Sequence, residues 1–399
     1  MPNDNLGISG PELPFAVSEY KERLDRTHES LAQQGLDAIL MFHQESMYYL
    51  FGYDALNHGE FQAGILPSDG RDVTVVCCAI DKELIGGLPF VDDVVGLLDD
   101  SLDDAAQITV RTLEKMNLLD RGQRIGIELR SHALLPYYYE ELRRELDGRC
   151  ELRDASGLVA ELRIRKSPAE IEYVRRAASA QDAGYEAAFP AIRVGNRETG
   201  VLAEVLSGMF AAGGDSPGIW PTVASGPRTL ASTHSSASGR VIKEDEMVQL
   251  VLSGCSRRYQ VVGVQSKWVG RPPAAVQEAY KILTEAHLIA LDHIAPGLPV
   301  SEMARRANTV LELAGMWEPG QHLGFGTGIG YAPTWSDNLR IHERESRVFE
   351  PNFVFSLSYR HTLNLDSGPV AITISEPILV TEEGYEKLSR HALTLDLTA

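Results

Sequence analysis

A chain of 399 residues with 44% apolar and 23% charged side chains is long enough to bury two substantial cores and has the balance of an ordinary soluble globular protein. Its 37 Lys plus Arg stand against 56 Asp plus Glu, and the resulting net charge of −19 repels a nucleic-acid backbone or an anionic membrane surface. No stretch approaches the roughly 18 uninterrupted apolar residues of a membrane span, and Cys77, Cys78, Cys150 and Cys255 form neither a CxxC pair nor a regular series, which argues against a disulfide framework or a thiolate zinc site. The opening MPNDNLGISGPELP lacks a basic start followed by an apolar run, so the expected setting is the reducing cytoplasm.

In chain order, residues 18–34 carry apolar side chains at helical intervals and stop at Gly35, and residues 37–42 form a compact apolar run suited to a buried strand. Short apolar runs at 72–78 and 124–127 alternate with helical stretches at 102–116 and 135–146, the pattern of an α/β domain ending near residue 160. A long helix is then predicted over 167–192. Ser167 is its N-cap, Pro168 occupies its first turn and Glu170 completes a capping box. Further helices are predicted at 198–212, closed by Gly213 and Gly214, at 274–293 and at 301–314, with strands at 247–252, 260–269, 352–358 and 371–380. Helices packed on one antiparallel sheet satisfy this order.

Several segments carry a resemblance. The opening LPFAVSEYKERLDRTHESLAQQGLDAILMFHQESMYYLFGYD, the junction ELRIRKSPAEIEYVRRA, the loop GPRTLASTHSSASGRVIKEDEM, the strand pair VQLVLSGCSRRYQVVGVQSKWVG, the turn GFGTGIG and the tail ISEPILVTEEG follow one another as in the creatinase and aminopeptidase P superfamily. LSGCSRRY, GIGYAPTW and ISEPILVTEEG look most like its creatinase and ectoine-hydrolase side. The resemblance implies an α+β protein: an α/β creatinase-type domain over 1–160, then a pita-bread catalytic domain over 161–399, a curved antiparallel sheet with covering helices. It also implies a homodimer in which the N-terminal domain lends residues to the partner's site, here Tyr53, His58 and Phe61 of GYDALNHGEFQ.

Dinuclear members of that superfamily hold two metal ions with two Asp, one His and two Glu. The matching places here are Val251 or Leu252, Gly263, Thr327, Ser358, and Glu376 or its neighbour Ser375. One carboxylate and a threonine do not make a site for a dication, which needs several converging oxygen or nitrogen donors, so no metal or other cofactor is expected. His234, in THSS, matches the histidine with which creatinase works as general acid and base without metal. Imidazole titrates near neutral pH and suits that role. Creatinase-like strands read E-R-T where this chain has Gln265, Ser266 and Lys267, and an amide cannot replace a carboxylate base.

The reading is therefore a metal-independent, creatinase-like hydrolase of a C–N amide or amidine bond in a small nitrogenous compound. His234 shuttles protons, and Glu376 and Tyr259 orient the substrate as the further catalytic residues. Trp220, Tyr331, Trp335 and Tyr359 are expected to line the pocket, aromatic faces being good partners for a cationic or amidinium substrate, together with Gln265, Thr327 and His361. The alternatives are a lyase, cyclase or isomerase on the same scaffold, or a catalytically inactive homologue that binds a small molecule or a protein.

Overall fold

The computed structural model describes residues 13–56, 60–98, 104–120, 122–318 and 320–396, and the chain divides into two compact units, Met1–Arg163 and Ile164–Ala399. In the first unit, strands β1 (Ala38–Met41), β2 (Ala63–Pro67), β3 (Val73–Cys78), β4 (Val91–Leu97), β5 (Arg124–Ile127) and β6 (Glu151–Asp154) form a mixed sheet in the order β4-β3-β2-β1-β5-β6. The helices are α1 (Val17–Gln34), α2 (Gln44–Phe51), α3 (Lys82–Ile85), α4 (Ala105–Lys115) and α5 (Pro136–Leu146), followed by α6 (Leu158–Ile164). Helix α1 ends where Gly35 takes a left-handed φ of 62°, which a glycine adopts without a Cβ penalty. Leu40, Phe42, Ile65, Val76, Ile125 and Ile127 are among the buried residues of this unit's core.

The second unit is built on an antiparallel sheet. Its strands are β7 (Thr222–Ser225), β8 (Glu246–Ser256), β9 (Tyr259–Val269), β10 (Gly324–Thr327), β11 (Ser336–Ile341), β12 (Val354–Leu365), β13 (Gly368–Val380) and β14 (Tyr385–Lys387), ordered β11-β10-β12-β13-β9-β8-β7 with β14 beside β13. Helices α7 (Pro168–Ala188), α8 (Glu198–Ala211), α9 (Ala274–Leu291) and α10 (Val300–Leu313) accompany it. The Ser167–Glu170 capping box forms with both of its hydrogen bonds.

Alternation along each strand divides the sheet into two faces. Phe355, Leu357 and Tyr359 of β12 and Ile372, Ile374 and Ile378 of β13 join one large core with α9 and α10. Val248, Leu250 and Leu252 of β8 join another with Tyr185 of α7 and with α8. Packing of α7 on β8 is so close at Gly254 that a Cβ there would lie 2.0 Å from the Ala177 carbonyl oxygen. The intervening residues of these strands face the other way, and that face carries the site.

Candidate active site

Strand register sets one row of side chains on the uncovered face. Ser358 of β12 pairs with Ser375 of β13, Ser375 with Val264 of β9, Val264 with Val251 of β8, and Val251 with Thr222 of β7. All five line a cavity of about 1150 Å³. Ser356 and Thr373 extend the hydroxyl half of this floor, and the Ser356 and Ser375 hydroxyls hydrogen-bond at 2.5 Å. The other half is apolar: Val251, Val262, Val264 and Trp335 cluster there, with Ile219 and Phe325 packed against them.

One wall is the segment after β7. A 3-10 stretch, Gly226–His234, places the His234 imidazole on the cavity, exposed to solvent. The segment is pinned at both ends by a single buried carboxylate. Glu198, at the start of α8, accepts from the Ser225 amide (2.9 Å) and hydroxyl (2.8 Å) through Oε1. Through Oε2 it accepts from the Ser238 amide (3.0 Å) and hydroxyl (2.7 Å) and from Arg228 Nε (3.1 Å). Ser225 and Ser238 bracket the loop that carries His234.

A further part of the wall is cationic. Among the described residues lining the cavity, Arg340 and Arg360 face one carboxylate, Glu318, and neither guanidinium is ion-paired among the described residues. Arg360 donates from Nη2 to the Leu230 carbonyl (2.8 Å), which ties β12 to the His234 segment, and Arg340 donates from Nη1 to the Asp337 carbonyl (2.8 Å). His322 also lines this wall. Partial burial pushes its imidazole below the ordinary histidine range, and the charges of Arg340 and His342 push it further. In a chain of net charge −19, this patch favours an anionic group on whatever enters.

The family model for metallopeptidase family M24 matches residues 172–382, more than half of the chain, and the creatinase/prolidase N-terminal domain matches residues 23–165. The chain belongs to family M24. It is 25% identical to the ectoine hydrolase of Halomonas elongata over 94% of this chain and 96% of that protein, and 24% identical to the Xaa-Pro dipeptidase of Pyrococcus horikoshii over 92% and 97%. Among solved structures it superposes on the prolidase of Thermococcus sibiricus with a TM-score of 0.83 at 21% identity, covering 94% of this chain and 98% of that one.

The name of family M24 implies a bound metal, and the donors present do not fit one. Among the described residues no group of three or more His, Cys, Asp or Glu converges as a metal site. The register also resolves the ligand-equivalent positions. Val251 faces the cavity whereas Leu252 is core; a Cβ on Gly263 would meet Tyr185 and Gln181 on the helix side, and its neighbours Val262 and Val264 face the cavity instead. Ser358 and Ser375 complete the set with neutral hydroxyls, weak partners for a hard or borderline dication.

Of the residues that the sequence singled out, His234, Trp220 and Trp335 line the cavity. Glu376 does not. It lies one residue from Ser375, hence on the opposite face, where it accepts from Lys387 Nζ and sits 2.8 Å from His287 Nε2, itself buried. Tyr259 is fully buried and donates to Glu170 Oε1 (2.8 Å), bracing the start of α7. Tyr359 packs edge-on against His287 in the helix-side core, and Tyr331 lies buried under Arg258. Gln265 and Thr327 are buried and His361 is half-buried, and none of them is among the residues lining the cavity.

Tyr53 and Phe61 are buried within the first unit of the single chain. The Tyr53 hydroxyl donates to Asp81, and the Phe61 ring packs against Phe42 and Tyr138. His58 lies outside the described residues. Of the aromatic set expected to face a cationic or amidinium group, two tryptophans line the cavity, beside Arg340 and Arg360. Sequence reasoning missed Arg340, Arg360, His322, Ser356 and Thr373. The alternation Ser356, Ser358, Arg360 in FSLSYR is a period-2 polar face and was the available signal.

Proposed function

We propose that this member of family M24 is a metal-independent hydrolase of a C–N amide or amidine bond in a small nitrogenous compound that carries a carboxylate. The observation that carries the reading is His234, an exposed imidazole on the wall of a cavity whose floor offers hydroxyls and valines in place of acidic ligands. His234 takes a proton from the attacking water and returns it to the leaving nitrogen. The Ser358 and Ser375 hydroxyls donate to the atom that gains electron density as the carbon becomes tetrahedral, the carbonyl oxygen of an amide or the imine nitrogen of an amidine. Arg340 and Arg360 hold the substrate carboxylate and so fix which face is presented. The ectoine hydrolase among the relatives supports a small, non-peptide substrate.

We further read the protein as cytoplasmic and homodimeric. Its four cysteines are free, and among the described residues no helix is long and apolar enough to cross a membrane. The dimer rests on the creatinase resemblance.

Turnover is sought by incubating the protein with small zwitterions, creatine-like guanidines and ectoine-like cyclic amidines, and detecting water gain by mass. Activity is expected to survive exhaustive chelation, and His234→Ala is expected to lower kcat by roughly 10²–10⁴-fold, the usual contribution of a positioned acid–base group. Loss of activity on chelation with recovery on adding manganese, cobalt or zinc refutes the reading. The valine half of the floor favours a second reading, a protein that binds its ligand without turning it over. Saturable binding with no product from any compound in the screen would establish that reading instead.

A further inference from the structure

The hairpin joining β8 to β9 turns through Arg257 and Arg258, with φ of 46° and 67°, while Ser256 pairs with Tyr259 across it. Both central residues of this tight turn are left-handed, the setting in which Asn-Gly or Gly-Gly is favoured because a Cβ is crowded there. Two consecutive arginines in that conformation depart from turn chemistry, and such departures gather at working surfaces. The tip is nevertheless rigidly held. Gly330 N donates to the Arg258 carbonyl (3.1 Å), Gln260 N to the Gly328 carbonyl (2.9 Å), and the Arg258 guanidinium lies 4.7 Å over the Tyr331 ring.

Arg257 takes part in something else. With Ser256 it lines a second cavity, of about 460 Å³, whose other side is Tyr173, Arg176 and Ser179 of α7. The Arg176 guanidinium is 5.3 Å from the Tyr173 ring centre. Asp215 also borders the cavity, where its carboxylate accepts from the Arg257 amide (2.5 Å) and so fixes the tip. We propose that this cavity binds a phosphate-type oxyanion. Two guanidiniums from elements some 80 residues apart, with the Ser256 hydroxyl beside them, supply charge-assisted and neutral donors around one small space. Overall charge does not drive this, since the chain carries −19 and repels anions at long range.

Calorimetric titration of the full chain with inorganic phosphate and, separately, with adenosine monophosphate tests the site at fixed ionic strength. Saturable binding of either is expected. Arg257→Gly and Arg176→Ala should each weaken it about tenfold or more, the loss of one charged hydrogen bond, while Arg360→Ala binds as wild type. Arg257→Gly also relieves the left-handed turn, so its melting temperature should hold or rise, which separates loss of ligand from loss of fold. Tighter binding of the monophosphate assigns the cavity to a phosphomonoester, and equal or tighter binding of the inorganic ion assigns it to free phosphate. No saturable binding in the millimolar range overturns the proposal. So does binding that survives both Arg257→Gly and Arg176→Ala but vanishes in Arg360→Ala, which would put the ion in the large cavity.

Discussion

Replacing Glu198 tests whether the His234 segment is held from below. The carboxylate accepts five hydrogen bonds, and Glu198→Ala leaves the Ser225 and Ser238 amides and the Arg228 guanidinium without their acceptor. Serine hydroxyls can turn to new partners, whereas each stranded amide costs about 1–3 kcal/mol, so a loss of roughly 2–6 kcal/mol follows. At about 2–4 °C per kcal/mol for a domain of this size, the melting temperature should fall by roughly 4–24 °C. Glu198→Gln keeps one carbonyl oxygen but turns an NH2 toward the other serine, and its fall should be intermediate. Scanning calorimetry gives the shift, and amide exchange across residues 226–238 locates it. Melting within about 1 °C of wild type, with unchanged exchange in that segment, would refute the claim that this carboxylate organises the wall.

Two further expectations concern groups outside the cavity. Glu376→Ala breaks a buried contact with His287 and Lys387 and should cost about 3–5 kcal/mol in unfolding experiments, yet leave kcat/KM within about twofold at a temperature where the variant is folded; a selective loss of turnover would restore Glu376 to the catalytic set. Burial lowers Lys267 to about 8, while its amine donates to the Thr394 and Asp396 carbonyls. The unfolded chain then binds the proton more tightly than the folded one, so this lysine makes stability rise as pH goes from about 8 toward 10.5. Lys267→Met should flatten that rise in urea titrations, and parallel curves for the two proteins would contradict the assignment.

Much of the second unit was legible because its helices carry strong periodicity and end signals. The predicted 198–212, 274–293 and 301–314 became Glu198–Ala211, Ala274–Leu291 and Val300–Leu313. Strand β8 ran past its predicted end at 252 because Ser253, Gly254, Cys255 and Ser256 look like a turn. They stay in the sheet because α7 presses on Gly254 and the Ser253 hydroxyl donates to Gln260. The true turn, Arg257–Arg258, has no turn residue to announce it. At the site, the histidine was legible through its neighbours in THSS. Which of two adjacent residues faces the cavity was not, since that depends on strand register, as at Ser375 and Glu376. Arg340 and Arg360 come to line one cavity only because β10 lies between β11 and β12, a long-range arrangement with no local signature.

The two-residue period of β13 has a broader meaning for how this scaffold changes chemistry. Ser375 and Glu376 are interchangeable by a frame shift of one position, and the connection Asp366–Ser367 just before the strand is where such a shift would be absorbed. Sliding the strand would bring an acid to the solvent side, but it would also drive Ile372, Ile374 and Ile378 out of their oily bed. An acid on the cavity side is thus unreachable by slippage, and must be introduced by substitution at the positions that already face the cavity.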